Sequence, residues 1–289
     1  MALASYWVPL AEMLMSTKYM STTNPINITR QIIGGLPIIN KSRHEFSDLL
    51  LFDWKRQMAS QRTLPPKIAY SVNGQILAEV NSSKEMLSLF KKADYLDADG
   101  MWLVFASRIF SKNPLPERVA TTDFFHDVAS ISALNGISFY ILGSSQQNNS
   151  DACNKLNSLY PDLKIVGSHH GFFSSETEDH IIRDINNSGA DIVWIAMGYP
   201  RQELLAEKLS PYLTGVTWVK TCGGLLEHIL ELQPRAPLWI QKIGFEWLYR
   251  LCCEPRRLGL RYIKTNPLAL WYLLTRTESR SVALNAIDR

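Results

Sequence analysis

The chain has little sulfur chemistry to offer. Its 289 residues include four cysteines, Cys153, Cys222, Cys252 and Cys253. None forms a Cys-x-x-Cys pair, which excludes a zinc ribbon, a thioredoxin-type redox motif and a disulfide framework. Adjacent Cys252 and Cys253 cannot readily bridge each other, so the pattern predicts buried thiols in a reducing compartment. Long apolar runs are missing too. No stretch approaches the ~18–20 residues needed to span a bilayer, and Ala2 to Leu14, interrupted by Glu12 and without preceding basic residues, makes a poor signal peptide. Nucleotide fingerprints are also absent: Gly143-Ser144-Ser145 is not G-x-G-x-x-G and no P-loop lysine follows it, which argues against NAD binding and ATP hydrolysis. With 46% hydrophobic and 20% charged residues and a mean hydropathy of -0.08, disordered and collagen-like classes are excluded. The length suits one large domain with an appendage.

What is present is an alternation of strand-like and helix-like segments. Apolar runs at Lys67–Val72, Ile137–Leu142, Leu163–Gly167, Asp191–Met197 and Val216–Lys220 predict strands, with a further short segment closed by Asp97-Ala98-Asp99-Gly100. Helical patterns run from Gln75 to Lys91, Gln146 to Leu159, Thr177 to Asn187 and Gln202 to Leu213. Strands that are apolar throughout require helices on both faces. The expected fold is therefore α/β, a Rossmann-like doubly wound, mostly parallel sheet with a C-terminal helical appendage. Residues 1–30, with the loop composition of Ser21-Thr22-Thr23-Asn24-Pro25, are expected to be a poorly ordered leader, with Met20 as an alternative start. The catalytic domain is expected over residues 31–232 and a basic, aromatic-rich docking appendage over 233–289.

Ligands of such sheets sit at the carboxyl ends of the strands. That rule selects Ser71, Asn73, Gly143, Ser144, Gly198, Pro200, Gly223 and Gly224, where small residues let backbone N–H groups and helix N-termini approach a phosphate or nucleobase. Asp97 and Asp99 admit three readings: a chelating pair beneath a nucleotide diphosphate, a lone general base, or a solvated pair with one acting as a helix N-cap. His169-His170 lacks a third ligand at suggestive spacing and reads as a loop pair.

Charge is unevenly distributed. After Gln233 ten Lys/Arg face four Asp/Glu, whereas the preceding chain carries twenty against twenty-three, within a total net charge of +3. A basic segment of this kind suits anionic lipid or a diphosphate. Arg250, Arg256, Arg257 and Arg261 recur on helical turns, and Trp239, Phe245, Trp247 and Trp271 supply interfacial aromatics. Arginine binds diphosphate oxygens in pairs better than lysine does.

The ordered set Ser71-Val72-Asn73, Asp97-Ala98-Asp99-Gly100, Pro116-Glu117-Arg118-Val119, Phe139-Tyr140-Ile141-Leu142-Gly143, His170-Gly171-Phe172-Phe173, Gly198-Tyr199-Pro200-Arg201-Gln202-Glu203, Arg235-Ala236-Pro237 and Glu246-Trp247-Leu248-Tyr249-Arg250 resembles the WecG/TagA/CpsF glycosyltransferases, from about residue 31 to about residue 272. The resemblance implies transfer of a sugar, N-acetylmannosamine or a related type, from a UDP donor to a polyprenyl-diphosphate-linked saccharide, with inversion and no required metal or other cofactor. It implies a cytoplasmic protein peripheral on the inner membrane face; self-association is compatible with it, and nucleic acid is not a partner. Asp99 is then the base, Asn73 and Gln202 sugar or acceptor contacts, and Arg235, Arg250, Arg257 and Arg261 diphosphate clamps, with Arg118 in the substrate-binding set. The sequence departs from the family pattern at Ser71 (usually Thr), Asp97 (Asn), Thr121 (Gly), Glu227 (Asp) and Glu231 (Gly). Asp97 reopens the metal reading, and Asp97→Asn is expected to be mild.

Overall fold

A pair of glycines closes the first element. Gly34 and Gly35 have φ of 56° and 84°, the left-handed pair of a type I′ turn whose twist matches its strands. They join β1 (Ile28–Ile33) to β2 (Leu36–Ile39). The structure, a computed structural model, describes residues 28–279 and 281–284. The expected leader lies outside the described residues except for 28–30, which form the first half of β1.

Helix and strand then alternate through α1 (Arg43–Ala59), β3 (Lys67–Val72), α2 (Gly74–Asn81), α3 (Lys84–Lys92), β4 (Tyr95–Ala98), α4 (Met101–Phe110), α5 (Thr121–Asn135), β5 (Ser138–Gly143), α6 (Gln146–Leu159), β6 (Lys164–His169), α7 (Glu178–Ser188), β7 (Ile192–Ala196), α8 (Arg201–Leu209) and β8 (Trp218–Thr221). The helix expected over 75–91 is two helices. Ser83 accepts a hydrogen bond from the Met86 N–H and caps α3 afresh, because a serine side chain competes with the helix ladder for backbone donors. The helix expected to reach Leu213 ends at Leu209 and continues as a 3₁₀ turn around Pro211.

The six strands β4-β3-β8-β7-β5-β6 pair in parallel in that order. Side-chain alternation divides the core between the two faces. Phe139, Ile141, Ile192 and Trp194 join Phe46, Phe124 and Phe125 on one face, while Tyr140, Leu142, Val193 and Ile195 meet Leu77, Phe90 and Leu209 on the other. Trp194 lies 4.8 Å from Phe125, edge to face, and truncating such a buried aromatic to alanine costs about 3–5 kcal/mol. Chain connections leave β5 and β7 in opposite directions, β5 toward β6 and β7 toward β8. That divergence opens a crevice at the carboxyl ends.

After β8 come α9 (Leu225–Ile229), α10 (Leu238–Lys242), α11 (Glu246–Cys253), α12 (Pro255–Thr275) and β9 (Ser281–Leu284). This segment is tied to the rest of the fold. Helix α12 lies along α2, closely enough that a Cβ on Gly74 would sit 3.8 Å from Ala269 Cβ, and Leu258, Ala269 and Leu273 are buried. β9 runs antiparallel to β1, with Ile28 opposite Leu284, and completes a second sheet of order β2-β1-β9. Cys153 and Cys222 are buried as expected, but Cys252 and Cys253 are exposed, because the end of α11 contributes no buried residue.

Candidate active site

Parallel pairing brings Ser71 of β3 opposite Asp97 of β4 and Val72 opposite Ala98. Directly after β4 the Asp99 and Gly100 N–H groups both turn onto the Val72 carbonyl, at 2.9 and 3.2 Å. This sharp entry leaves little room at Gly100, where a Cβ would lie 3.1 Å from Asn73 Cα. The loop before α5 joins the sheet through Val119 N–H to Ala98 O at 2.9 Å, and that contact carries Arg118 to Asp99.

Asp99 keeps 23% of its side chain exposed, with the Arg118 guanidinium 3.5 Å away. Arg118 also reaches Glu246 Oε2 of α11 at 2.5 Å. Asp99 Oδ1 further accepts the N–H of Thr121, the first residue of α5, at 3.2 Å, a position where the helix dipole favours negative charge. Burial raises the Asp99 pKa to about 6; the Arg118 charge opposes that rise, Asp97 and Glu246 reinforce it, and the Thr121 N–H opposes it. A carboxylate titrating there is ionised near neutrality and basic enough to take a proton from a hydroxyl in a transition state.

Asp97, two residues earlier, is in a different setting. Its side chain and that of Lys220 are both 0% exposed, with Lys220 Nζ 2.7 Å from Asp97 Oδ1. Lys220 also donates to Ser71 Oγ at 2.6 Å, and the Ser71 and Thr121 hydroxyls lie 2.8 Å apart. Asp97 is thus closed to solvent and neutralised from within, and the expectation that Asp97→Asn is mild gives way: the amide would leave a buried ammonium without its counter-charge.

Gln202 is 4% exposed, and its side chain is engaged inside the protein. Its Oε1 accepts from the Gly198 and Gly223 N–H groups at 3.2 and 2.9 Å, while its Nε2 donates to Glu203 Oε1 at 2.8 Å. It therefore ties the turn after β7 to the turn after β8. Asn73 is also committed, its Oδ1 capping α2 through the Ile76 N–H at 3.1 Å. Glu203 is fully buried, and burial raises its pKa to about 7, against the hydrogen bond from Gln202.

Around the divergence of β5 and β7 the backbone is crowded. A Cβ on Gly143 would fall 2.1 Å from Ala196 O, so no other residue fits. Ser144 follows with φ of 57° and donates to Glu227 Oε1 at 2.6 Å. Gly198 and Gly223 adopt positive φ, and Pro200 and Gly224 face solvent. Glu231 takes φ of 60°, the conformation that glycine, usual there in the family pattern, adopts without strain.

The arginines divide. Arg235 grips both oxygens of Asp123 in α5, at 2.5 and 2.8 Å. Arg250 lies 3.4 Å from Gln233 Oε1, and Arg257 pairs with Glu254 on the exposed start of α12. The Arg261 guanidinium lies 5.2 Å from the Tyr262 ring, its enclosed Nε without a hydrogen-bond partner. Burial lowers the His228 pKa, and Arg250 and Arg235 lower it further, while Arg250, Arg257 and Arg261 all bear on Glu254. Arg118, Arg235 and Arg250 thus gather around Asp99, Glu246 and His228, while Arg250, Arg257 and Arg261 gather around Glu254.

Sequence reasoning passed over Lys220 and His228, and met Glu203 and Glu227 only as positions in the family pattern. Lys220 had a legible signal, a lysine inside an apolar strand, whereas the others needed the fold. The site has the donors, carboxylate and cationic rim of a group transferase. The family model of WecG/TagA/CpsF glycosyl transferases matches residues 32–282, and the chain belongs to that glycosyltransferase family, which acts on a sugar donor and an acceptor in cell-surface polysaccharide synthesis.

Proposed function

We propose that this glycosyltransferase moves a sugar of N-acetylmannosamine type from a UDP-sugar to a polyprenyl-diphosphate-linked saccharide, with inversion and without a required metal, at the inner face of the cytoplasmic membrane. The observation that carries the reading is Asp99, held beside Arg118 at the crevice mouth with its pKa raised to about 6. The acceptor hydroxyl attacks the anomeric carbon from the face opposite the nucleotide, and its proton passes to Asp99. The bond from the anomeric carbon to the diphosphate oxygen breaks, its electron pair leaving on UDP. One positioned base contributes about 10²–10⁴-fold, and fixed cations around the departing diphosphate contribute comparably. Arg118, Arg235 and Arg250 are the nearest source of that charge.

Two further observations support the reading. The alternative in which Asp97 and Asp99 share a divalent ion is disfavoured by Lys220, which occupies Asp97 inside a fully buried ion pair. In the C-terminal helices, Trp239, Leu260, Ile263 and Trp271 are 61–73% exposed, and Arg256 and Lys264 are exposed too. That composition suits a surface lying on anionic lipid. No described helix is long and apolar enough to cross a membrane.

The test is a screen of UDP-sugars against a short-chain lipid-diphosphate saccharide, with and without chelator. Turnover that survives chelator and is lost in Asp99→Asn supports the proposal. Activity abolished by chelator would favour the metal-dependent class, and UDP binding without turnover of any donor would favour a non-catalytic assembly role.

A further inference from the structure

The buried ammonium of Lys220 spends all three of its protons. They reach Asp97 Oδ1 on β4 at 2.7 Å, Ser71 Oγ on β3 at 2.6 Å and its neighbour's carbonyl, Thr221 O on β8, at 3.3 Å. One cation therefore ties three adjacent strands, β4, β3 and β8, at their carboxyl ends. The contacts continue upward: Ser71 Oγ meets Thr121 Oγ1 at 2.8 Å, and the Thr121 N–H meets Asp99 Oδ1 at 3.2 Å. Ser71 and Thr121 are 8% and 9% exposed, so water competes little along this path.

The start of α5 depends on that path. Its N-cap, Ala120, has no side-chain oxygen and makes no side-chain cap, so the Thr121 hydroxyl is the side-chain tie from the first helical residue to β3, beside the backbone bond from Val119 N–H to Ala98 O. Positions 71, 97 and 121, three of those at which the sequence departs from the family pattern, meet in this single unit. We infer that Lys220 is a positioning residue for Asp99: through Ser71 and Thr121 it fixes the N-terminus of α5, whose first N–H holds the Asp99 carboxylate in place.

This rests on the reading of Asp99 as the base. The charged and donor groups facing Asp99 are Arg118, Asp97, Glu246 and the Thr121 N–H. Removing Lys220 and Asp97 together also takes away the Asp97 charge that raises the Asp99 pKa, so the carboxyl titration is read in Thr121→Val, where no charge changes. Replacement of a buried ion pair by neutral side chains is often neutral or stabilising. A purely structural pair would thus be silent in catalysis once both partners are neutral.

The experiment uses the full chain with Asp97→Asn/Lys220→Met, Thr121→Val and Thr121→Ser. In the double variant and in Thr121→Val, kcat is expected to fall about tenfold or more while KM for the UDP-sugar changes less than about threefold. The double variant should unfold close to the wild-type temperature. Combining it with Thr121→Val should add little, as two breaks in one path do, and Thr121→Ser should restore activity. Independently of turnover, the Asp99 carboxyl carbon, followed by ¹³C NMR, should titrate at higher pH in Thr121→Val, because a loosened Thr121 N–H favours the ionised form less. A stable double variant with wild-type kcat, or a Thr121→Val protein with unmoved Asp99 titration, would overturn the inference. If the wild type turns over no UDP-sugar, the transferase reading falls while the carboxyl titration still decides the tie.

Discussion

Asp97 and Asp99 leave the same strand end two residues apart, one wholly enclosed against an ammonium and the other 23% exposed beside a guanidinium. The floor of the crevice is a closed ion pair that solvent never reaches, whereas the rim is an open set of arginines and carboxylates. The same residue type is a structural charge in one setting and a titrating base in the other. Desolvation and the counter-charge decide, not the side chain.

The sharpest way to break this contrast is at the rim. Asp99→Asn should lower kcat by about 10²–10⁴-fold with UDP affinity intact by calorimetry. Its stability should not fall. A carboxyl whose folded pKa is raised to about 6 opposes folding above that pH, and the opposition is relieved as pH drops toward the unfolded value. Asp97→Asn should act at the floor instead. Stranding the Lys220 ammonium should cost about 3–5 kcal/mol in denaturant unfolding, and adding Lys220→Met should recover most of it. An Asp97→Asn protein as stable as wild type would mean that Lys220 finds water or deprotonates.

A smaller effect sharpens the electrostatics. Activity requires ionised Asp99, so kcat/KM should decline as pH falls through about 6. In Arg118→Gln the lost positive charge lets burial raise the carboxyl further, and the acid limb should move to higher pH. An unmoved limb would assign it to another group. Gln202→Ala should release the Gly198 and Gly223 turns, raising KM for the donor about tenfold with smaller change in kcat. Arg257→Ala is the mildest. Its exposed pair with Glu254 contributes a few tenths of a kcal/mol at most, so thermal stability should stay constant and any loss should appear with lipid-linked acceptors alone.

The central strands were legible because apolar runs such as Ile192–Ala196 carry their burial in their own composition, and the strand-end rule then led to Asp99, Ser71 and the glycine turns. The hairpin β1–β2 was not legible, since Ile28–Ile39 is short and pairs with a strand that begins at Ser281. Gln202 illustrates the limit within the site. Its place in Pro-Arg-Gln-Glu marked it as important, but only the approach of β7 to β8 turned its amide inward to Gly223, twenty-one residues away.

By itself, then, the sequence determined the alternation of strand and helix, the family, the basic C-terminal segment and the carboxylate at 99, since each is written in neighbouring residues and in side-chain chemistry. Tertiary structure alone decided that Asp97 would be neutralised by Lys220, 123 residues distant, and that Arg118 would stand between Asp99 and Glu246. It also decided that β9 would return to β1. These are pairings between remote parts of the chain, and they form because burying a charge or a strand edge is costly until a partner arrives from elsewhere in the fold.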